Sequence, residues 1–323
     1  MKQQLFESNH EGDWQVFEVQ LNALEKKRKK PDTDVSAFAN HYRKICYDLT
    51  LAQSRQYSPY LIDRLNQLTL RGHQQLYQHR SNLLHSILRF IVAVYPQQVR
   101  KEIKLVLFAG LLLYGPALVT GLLTYFNPDL VFSLHSEGQV AEFTKMYNPD
   151  KNAESAEART AADDLIMFGF YIRNNIGIGF QTFASGILLG IGSLFFLIFN
   201  GLAMGTVAGF LTSMGYHTPF YSFVITHGAF ELTAIVISGA AGMKLGFSLL
   251  APGQFSRSQA LRTAGKDSIL LVYGVILFLL IAAFLEAFWS SSSVITPAIK
   301  YTVGGSAWVL VLAYFCLGGR NGS

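Results

Sequence analysis

The chain has 323 residues, of which half are hydrophobic and only 15% are charged. Its mean hydropathy of +0.28 is typical of a membrane protein, and we expect no nucleic-acid partner. The charges are segregated along the chain: residues 1–104 carry a net charge of +6, residues 126–173 carry −4, and the residues after 173 carry +3. The two cysteines, Cys46 and Cys316, fall in very different settings, so a disulfide framework is not expected.

The first hundred residues have the composition of a helical, non-membrane domain. Residues 10–95 contain few glycines and many Leu, Gln, Lys and Arg residues, with apolar positions at helical spacing such as Leu61, Leu65 and Leu68. The first 80 residues contain no apolar core of the kind that a signal peptide needs, so we expect none. We therefore predict a cytoplasmic helical domain over residues 1–100.

Two segments of this region bear on contact with membrane lipids. The basic run Lys26–Lys30 either touches anionic lipid or is a solvated helix end. The segment Leu83–Tyr95 is too short to span a bilayer and carries only one charge. It either lies along the cytoplasmic interface or is a buried amphipathic helix of the soluble domain.

Six apolar segments follow, and a transmembrane helix needs about 20 apolar residues. The third segment is short and rich in glycine, so it is either a tilted span or a re-entrant one. A full crossing is favoured because it keeps the later basic loop on the same side as the others. The predicted spans are 105–126, 176–199, 201–215, 220–243, 269–289 and 301–317. The sequence thus predicts an all-α polytopic membrane protein with its transmembrane domain over residues 101–320.

The basic residues near the span ends predict the orientation, because Lys and Arg are enriched on the cytoplasmic side. With six spans, all the basic flanks fall on one side, which places both termini in the cytoplasm of a bacterial inner membrane. The acidic stretch 127–175 and the short loop 290–300 then face outward. Within the acidic stretch, Asp150–Asp164 has a helix-forming composition and no apolar core of its own, which indicates a surface helix or a flexible excursion.

Glycines recur every four residues at Gly201, Gly205 and Gly209, and a second pair is formed by Gly186 and Gly190. Small residues at this spacing let helix backbones approach closely in lipid. We predict that these faces pack helices and support a homodimer, although the same faces can equally pack within one protomer. A pore lined by glycines is the rarer alternative.

The most informative pair is His227 and Glu231, which lie one helical turn apart inside an apolar segment. Ionisable side chains at membrane depth are functional-site candidates. At a rise of about 1.5 Å per residue, they lie about 10 and 16 Å below the outer end of their span. We predict a direct or water-mediated hydrogen bond between them, with Glu286 and Asn174 or Asn175 in the surrounding shell.

Three interpretations of this polar site stay open at the level of the sequence. The pair can fix helix packing, it can bind a proton, an ion, a lipid headgroup or a peptidoglycan fragment, or it can hold a catalytic metal. The H-E-x-x-H zinc signature is absent, and four good ligands are not visible. We find no nucleophile elbow, Walker motif or dinucleotide fingerprint. We therefore expect no enzyme activity, no metal and no cofactor.

Three segments resemble the stage II sporulation protein M family of membrane proteins: residues 171–205, 226–246 and 284–290. The similarity extends over nearly the whole chain. The His-Gly-x-x-Glu motif of the family corresponds to His227, Gly228 and Glu231 in this sequence, with Gly228 expected in helix packing. Its Glu-Ala-Phe-Trp motif corresponds to the four residues that begin at Glu286.

In spore-forming bacteria, the resemblance implies a membrane scaffold that works with cell-wall hydrolases during engulfment. Relatives in other bacteria are often encoded beside AAA+ ATPases and von Willebrand-type proteins. We therefore expect a non-enzymatic membrane protein that recruits such partners through residues 1–100 for cell-envelope assembly or remodelling. The alternative is a transporter or channel that uses the polar site around His227, Glu231 and Glu286.

Overall fold

The structure is a computed structural model in which every regular element of the described residues is helical, as the sequence predicts. It divides into two compact units, residues 1–85 and 86–323. This division comes before the domain boundary at residue 100 that the sequence predicts. The reason is that Tyr95 and Val99 are buried among the membrane helices. The described residues are 2–26, 35–76, 83–149 and 161–320.

The first unit consists of three helices: α1 (Gln3–Lys26), α2 (Val35–Ser54) and α3 (Pro59–Leu76). Each helix turns one apolar face inward, and every large apolar side chain that is fully buried stabilises the fold by about 1.5–3 kcal/mol. The indole nitrogen of Trp14 donates a buried hydrogen bond of 2.9 Å to Asp48. The basic run 26–30 lies, apart from the backbone of its first residue, outside the described residues. The core consists of Phe6, Trp14, Phe17, Leu21, Phe38, Ile45, Ala52, Leu61, Leu65 and Leu68.

Two arginines of α3 connect it to α1 at the surface. Arg64 donates two hydrogen bonds of 2.9 and 2.8 Å to the carboxylate of Glu11, and Arg71 binds Glu25 at 2.9 Å. The hydrogen bonds from the arginines lower the pKa of both glutamates. Because these side chains are about one-third exposed, each pair contributes at most about 1 kcal/mol. The apolar core, rather than these pairs, therefore stabilises the first unit.

The second unit is built on a long central helix, α10, which packs against α6, α8, α9, α11 and α12. Helix α4 continues through a π-helical segment (Phe90–Val94) into α5, and α11 ends in a second one (Leu285–Ser290). The helices after α3 are α4 (Leu83–Arg89), α5 (Tyr95–Lys101), α6 (Ile103–Phe126), α7 (Glu137–Tyr147), α8 (Ala161–Ala184), α9 (Ile191–Ser213), α10 (His217–Leu250), α11 (Arg257–Phe284) and α12 (Pro297–Leu317).

Five helices among the described residues are long and apolar enough to cross a membrane: α6, α9, α10, α12, and α11 extended to Ser290. Helix α8 has 24 residues but is less apolar, because it carries Arg173, Asn174 and Asn175 in its middle. It nevertheless packs along α10 and α11. The second unit is therefore a polytopic membrane domain in which α8 is the polar member.

The predicted spans 176–199 and 201–215 are wrong in their boundaries. Helix α8 ends at Ala184, and the chain reverses through a short 3₁₀ turn (Ser185–Ile187) before α9 begins at Ile191. Gly190 adopts a φ of +85° at this reversal, a conformation that glycine tolerates without a steric penalty. The hydropathy of the sequence stays high through this turn and so does not reveal it. The segment predicted as the third span is the second half of α9.

Glycine contacts hold the reversal against α10. A Cβ atom added at Gly186 would collide with the backbone of Gly242, and one at Gly246 would collide with Gly190. The hydroxyl of Ser193 donates a 2.6 Å hydrogen bond to a carbonyl of α8, so α8 and α9 are also tied to each other. Close backbone contact of this kind needs small residues. The glycine pair Gly186 and Gly190 therefore packs helices within one protomer.

The face formed by Gly201, Gly205 and Gly209 is also occupied within the protomer. A Cβ atom at each of these positions would collide with a backbone carbonyl of α6. This face is therefore not free to form the homodimer that the sequence analysis placed there. At Gly228, by contrast, an added Cβ atom would meet only Val224 and Leu232 of its own helix, so this glycine is not needed for close helix packing.

A cluster of charged residues connects α5, α10 and α11 at the end of the membrane domain that carries residue 103. The ammonium group of Lys244 lies 2.5 Å from Glu102 and 2.7 Å from Asp267, and Lys101 lies 3.0 Å from Asp267. A capping box at Ser256 starts α11 at Arg257 and places Asp267 inside the helix. The charged cluster therefore connects α5, α10 and α11. The loop between α10 and α11 comprises only residues 251–256.

The acidic stretch 127–175 is more structured than a loop. Helix α7 begins with a capping box formed by Ser136 and Gln139, and it buries Val140 and Tyr147 against α9 and α10. Residues 161–175 belong to α8. Of the segment predicted as a surface helix or excursion, residues 150–160 lie outside the described residues.

We expect Gly205→Leu to destabilise the membrane domain, because its side chain would collide with Ala117 and Thr120 of α6. Overpacking of this kind costs about 1–3 kcal/mol, which thermal unfolding in detergent would detect. Gly305→Leu is the matched control, since an added Cβ atom at Gly305 meets nothing within 4 Å. A Gly205→Leu variant that unfolds like the wild type but changes its oligomeric mass would show that this face forms a dimer instead.

Candidate functional site: a polar cluster inside the membrane domain

The two ionisable side chains of α10 lie on one face of the helix, as their spacing requires. His227 is 4% exposed, and its Nε2 atom lies 3.9 Å from a carboxylate oxygen of Glu231. This distance is too long for a hydrogen bond. The predicted direct hydrogen bond is therefore wrong, whereas a shared water stays a prediction.

Helix α11 contributes two further residues from its π-helical end. The Nδ1 atom of His227 lies 3.0 Å from the hydroxyl of Ser290, within hydrogen-bond distance. Glu286 lies in the same π-helical segment and reaches the same region as Glu231. π-Helical segments are rare and occur frequently at functional sites. The local widening of α11 therefore coincides with the residues that meet His227.

Helix α8 contributes the asparagine pair. The amide of Asn175, which is almost completely buried, donates a 3.3 Å hydrogen bond to Glu286. The neighbouring Asn174 is exposed and donates to the side-chain oxygen of Asn175 at 3.1 Å. The structure thus brings Asn175 to Glu286, whereas Asn174 is one hydrogen bond further away. This contact explains why a polar helix packs inside an apolar domain.

Sequence reasoning missed Ser290 and Lys300, which it assigned to an outer loop. Helix α12 begins at Pro297 rather than at residue 301, because proline is favoured in the first turn of a helix. Lys300 is therefore inside the helix, is buried, and donates a 2.7 Å hydrogen bond from Nζ to the carbonyl of Ser290. Pro297 was the available signal for this earlier helix start.

Edge-to-face aromatic contacts connect the cluster to α7. The ring of Phe223 lies 5.3 Å from the ring of His227 and 5.9 Å from the ring of Tyr147. Tyr147 packs in addition on Phe220, one turn before Phe223 in α10. Helix α7 thus covers the cluster from its end of the membrane domain, a contact that the hydropathy pattern does not predict.

The cluster brings together a set of groups suited to bind a cation. His227, Glu231 and Glu286 each offer one ligand atom, and these atoms lie within 4.8 Å of one another, the only such group found in the described part of the chain. The sequence analysis expected no metal, because the H-E-x-x-H signature is absent and four good ligands are not visible. Two carboxylates and an imidazole can hold a divalent metal or share protons.

Comparison with known proteins identifies the family. A model of the Stage II sporulation protein M family matches residues 104–291, more than half of the chain. The chain therefore belongs to this family, and the resemblance found in the sequence is confirmed. An uncharacterized protein of Methanocaldococcus jannaschii is 26% identical over 172 residues, which cover 53% of this chain and 93% of that protein. No solved structure matches.

The N-terminal region matches a different model. Residues 4–78 correspond to a domain of unknown function (DUF8413), whereas the family model begins at residue 104. The expectation that the family similarity covers nearly the whole chain is thus wrong at its N-terminal end. The two models separate at the same part of the chain as the two compact units.

We expect the losses of stability in His227→Ala and Glu231→Ala to be non-additive, because each single change strands the other group in a buried setting. The stability loss of the double variant should be smaller than the sum of the losses of the two single variants, by at least about 0.5 kcal/mol. Thermal unfolding of the protein in detergent measures these losses. His217→Ala, at an exposed histidine of the same helix, should leave the stability unchanged. Additive losses would show that the two residues are not coupled.

Proposed function

We propose that this member of the stage II sporulation protein M family is a non-enzymatic membrane protein that recruits partner proteins for cell-envelope assembly or remodelling. Recruitment occurs through the first compact unit. The observation that carries the proposal is an apolar surface on α1 that points away from the core of that unit. The partner classes implied by the family resemblance are AAA+ ATPases and cell-wall hydrolases, of which a cytoplasmic unit can bind only the ATPases directly.

The surface, here called the outer stripe, consists of exposed residues on one face of α1. At 100° per residue, these positions lie within about 60° of one another, on the side opposite the core residues Trp14 and Phe17. Leu5 is 54% exposed and Val19 is 67% exposed. The outer stripe comprises Leu5, Gly12, Val16, Val19 and Ala23.

The spacing of the outer stripe supports a helical partner. Its positions follow one another at intervals of seven, four, three and four residues, which is the spacing of a coiled-coil seam. An added Cβ atom at Gly12 would meet nothing within 4 Å, so a partner helix can approach closely there. A single exposed valine needs no explanation, whereas a run of exposed apolar and small residues on one face of a surface helix, such as Gly12, Val16, Val19 and Ala23, is typical of helix docking.

The basic residues support a cytoplasmic location for the first unit. Lys101, Lys244 and Arg257 lie at the same end of the membrane domain, and Arg320 follows the last helix. By the positive-inside rule, this end and both termini face the cytoplasm of the inner membrane. Lipids are the further partner, because helix α4 exposes the apolar side chains of Leu84 and Leu88 to their surroundings.

We expect the double variant Val16→Glu/Val19→Glu to lose its recruited partner, because two carboxylates on the outer stripe would have to be desolvated in the complex. Full-length protein would be isolated from native membranes after mild cross-linking. The amount of co-purified partner should fall at least about tenfold, as expected for a loss of about 1.4 kcal/mol or more. As a separate test of the cytoplasmic orientation, protease added to intact cells should leave the first unit uncleaved.

The control is Gln4→Glu/Gln53→Glu, which makes the same charge change at two exposed positions outside the outer stripe. It should retain the partner. Thermal unfolding of both double variants should match that of the wild type, since all four positions are exposed. Partners recovered equally with both double variants would count against the outer stripe, and cleavage of the first unit from outside would refute the orientation.

A transporter or channel is the second candidate, favoured by one observation. Glu286 lies in a π-helical segment and meets His227 and Glu231 of the central helix inside the membrane domain. Interrupted helices with ionisable side chains at membrane depth are typical of transporters. We expect no ion flux in liposomes containing the purified protein. Flux that Glu231→Gln abolishes and Glu142→Gln preserves would replace the recruitment proposal.

A further inference from the structure

We propose that Nε2 of His227 and the carboxylates of Glu231 and Glu286 bind a divalent transition-metal cation of the zinc type. The proposal does not depend on partner recruitment, because the three residues belong to the second unit. It stands on four observations: the spacing of the ligand atoms, a buried imidazole whose Nε2 atom faces a carboxylate beyond hydrogen-bond distance, hydrogen bonds that orient two of the ligands, and the charge of the cluster.

The spacing fits a metal ion after small side-chain adjustments. Zinc binds imidazole nitrogen at about 2.0–2.1 Å and carboxylate oxygen at about 2.0–2.2 Å, so ligand atoms of a tetrahedral site are about 3.4 Å apart. The Nε2 atom of His227 lies 3.9 Å from Glu231, about half an ångström beyond this value. All three ligand atoms lie within 4.8 Å of one another, a range that rotation of the glutamate side chains can close.

The buried imidazole of His227 indicates that a ligand binds at this position. The side chain is 4% exposed, and Ser290 lies at hydrogen-bond distance from Nδ1. The Nε2 atom faces the carboxylate of Glu231 at 3.9 Å, which is too long for a hydrogen bond. A metal ion between Nε2 and the two carboxylates would replace this long contact with direct metal–ligand bonds.

Hydrogen bonds outside the three ligands already orient two of them. Metal-binding histidines nearly always use their second nitrogen for a hydrogen bond, which fixes the ring and its tautomer. His227 has this arrangement, with Nδ1 at 3.0 Å from Ser290. Glu286 is held in the same way by the amide of Asn175. These contacts leave Nε2 and the carboxylate oxygens directed at one another.

The charge of the cluster favours a cation. Glu231 and Glu286 place two carboxyl groups close together inside a membrane domain, where an uncompensated charge is costly. The buried ammonium of Lys300 is hydrogen-bonded to the carbonyl of Ser290, and Arg173 is exposed. A divalent cation would neutralise both carboxylates at once. The imidazole ligand selects a metal such as zinc over magnesium or calcium, which prefer oxygen ligands.

The test measures metal binding by the full-length protein, purified in detergent without a histidine tag and stripped with a chelator. After addition of Zn²⁺ and removal of the excess, elemental analysis should find a single tightly bound zinc per chain. Glu286→Gln, Glu231→Gln and His227→Ala should each weaken zinc binding at least about tenfold, because a three-ligand site loses one ligand. Zinc should also raise the melting temperature of the wild type, and an excess of Mg²⁺ should not displace it.

Matched controls separate this site from the surface. His217→Ala and Glu142→Gln remove an exposed histidine and an exposed carboxylate and should keep the bound zinc. If a ligand variant fails to fold, Co²⁺ bound to the wild type should show the absorption of a four-coordinate nitrogen and oxygen site. Absence of tight zinc in the wild type, or zinc retained by folded ligand variants, would overturn the proposal. Neither result would affect recruitment through the outer stripe, whose variants should bind zinc normally.

Discussion

Close backbone contact between α10 and the turn that joins α8 to α9 sets the positions of the other parts of the membrane domain. Gly186 lies against Gly242, and Gly190 lies against Gly246. Because no side chain separates these backbones, the register of α8 along α10 is fixed at this end. The register in turn places Asn175 beside Glu286, about three turns before the glycine contact.

The polar cluster follows from the same register. A carboxylate inside a membrane domain needs a partner, and Glu286 finds one only because α8 brings an amide to it. Ser290 makes two further polar contacts. Its hydroxyl contacts the imidazole of His227, and its carbonyl accepts a hydrogen bond from the ammonium group of Lys300. Helices α8, α10, α11 and α12 are thereby connected by polar contacts as well as by apolar packing. A change in the position of any one of them would strand a buried polar group.

Sequence reasoning predicted the class of the protein and the pair on α10, because hydropathy and helical spacing are local properties. It placed two span boundaries wrongly, because the turn before Ile191 is set by the backbone conformation of Gly190 and not by polarity. It found Glu286 and Asn175 as neighbours of the pair but missed Lys300, since a short loop and a helix start have similar compositions. It also interpreted the Gly205 face as a dimer surface, because small residues indicate close packing without naming the partner helix.

Helix α5 belongs to the membrane domain, where it packs against α11 and α12. Gln97 and Arg100 of α5 donate hydrogen bonds to backbone carbonyls at the C-terminal end of α12, at 2.6 and 2.7 Å. Tyr95 is buried and would collide with any side chain at Gly274 of α11. Helix α5 is thus fixed to α12, whose other end carries Lys300. Because that lysine binds Ser290, one helix connects the start of the membrane domain to the polar cluster.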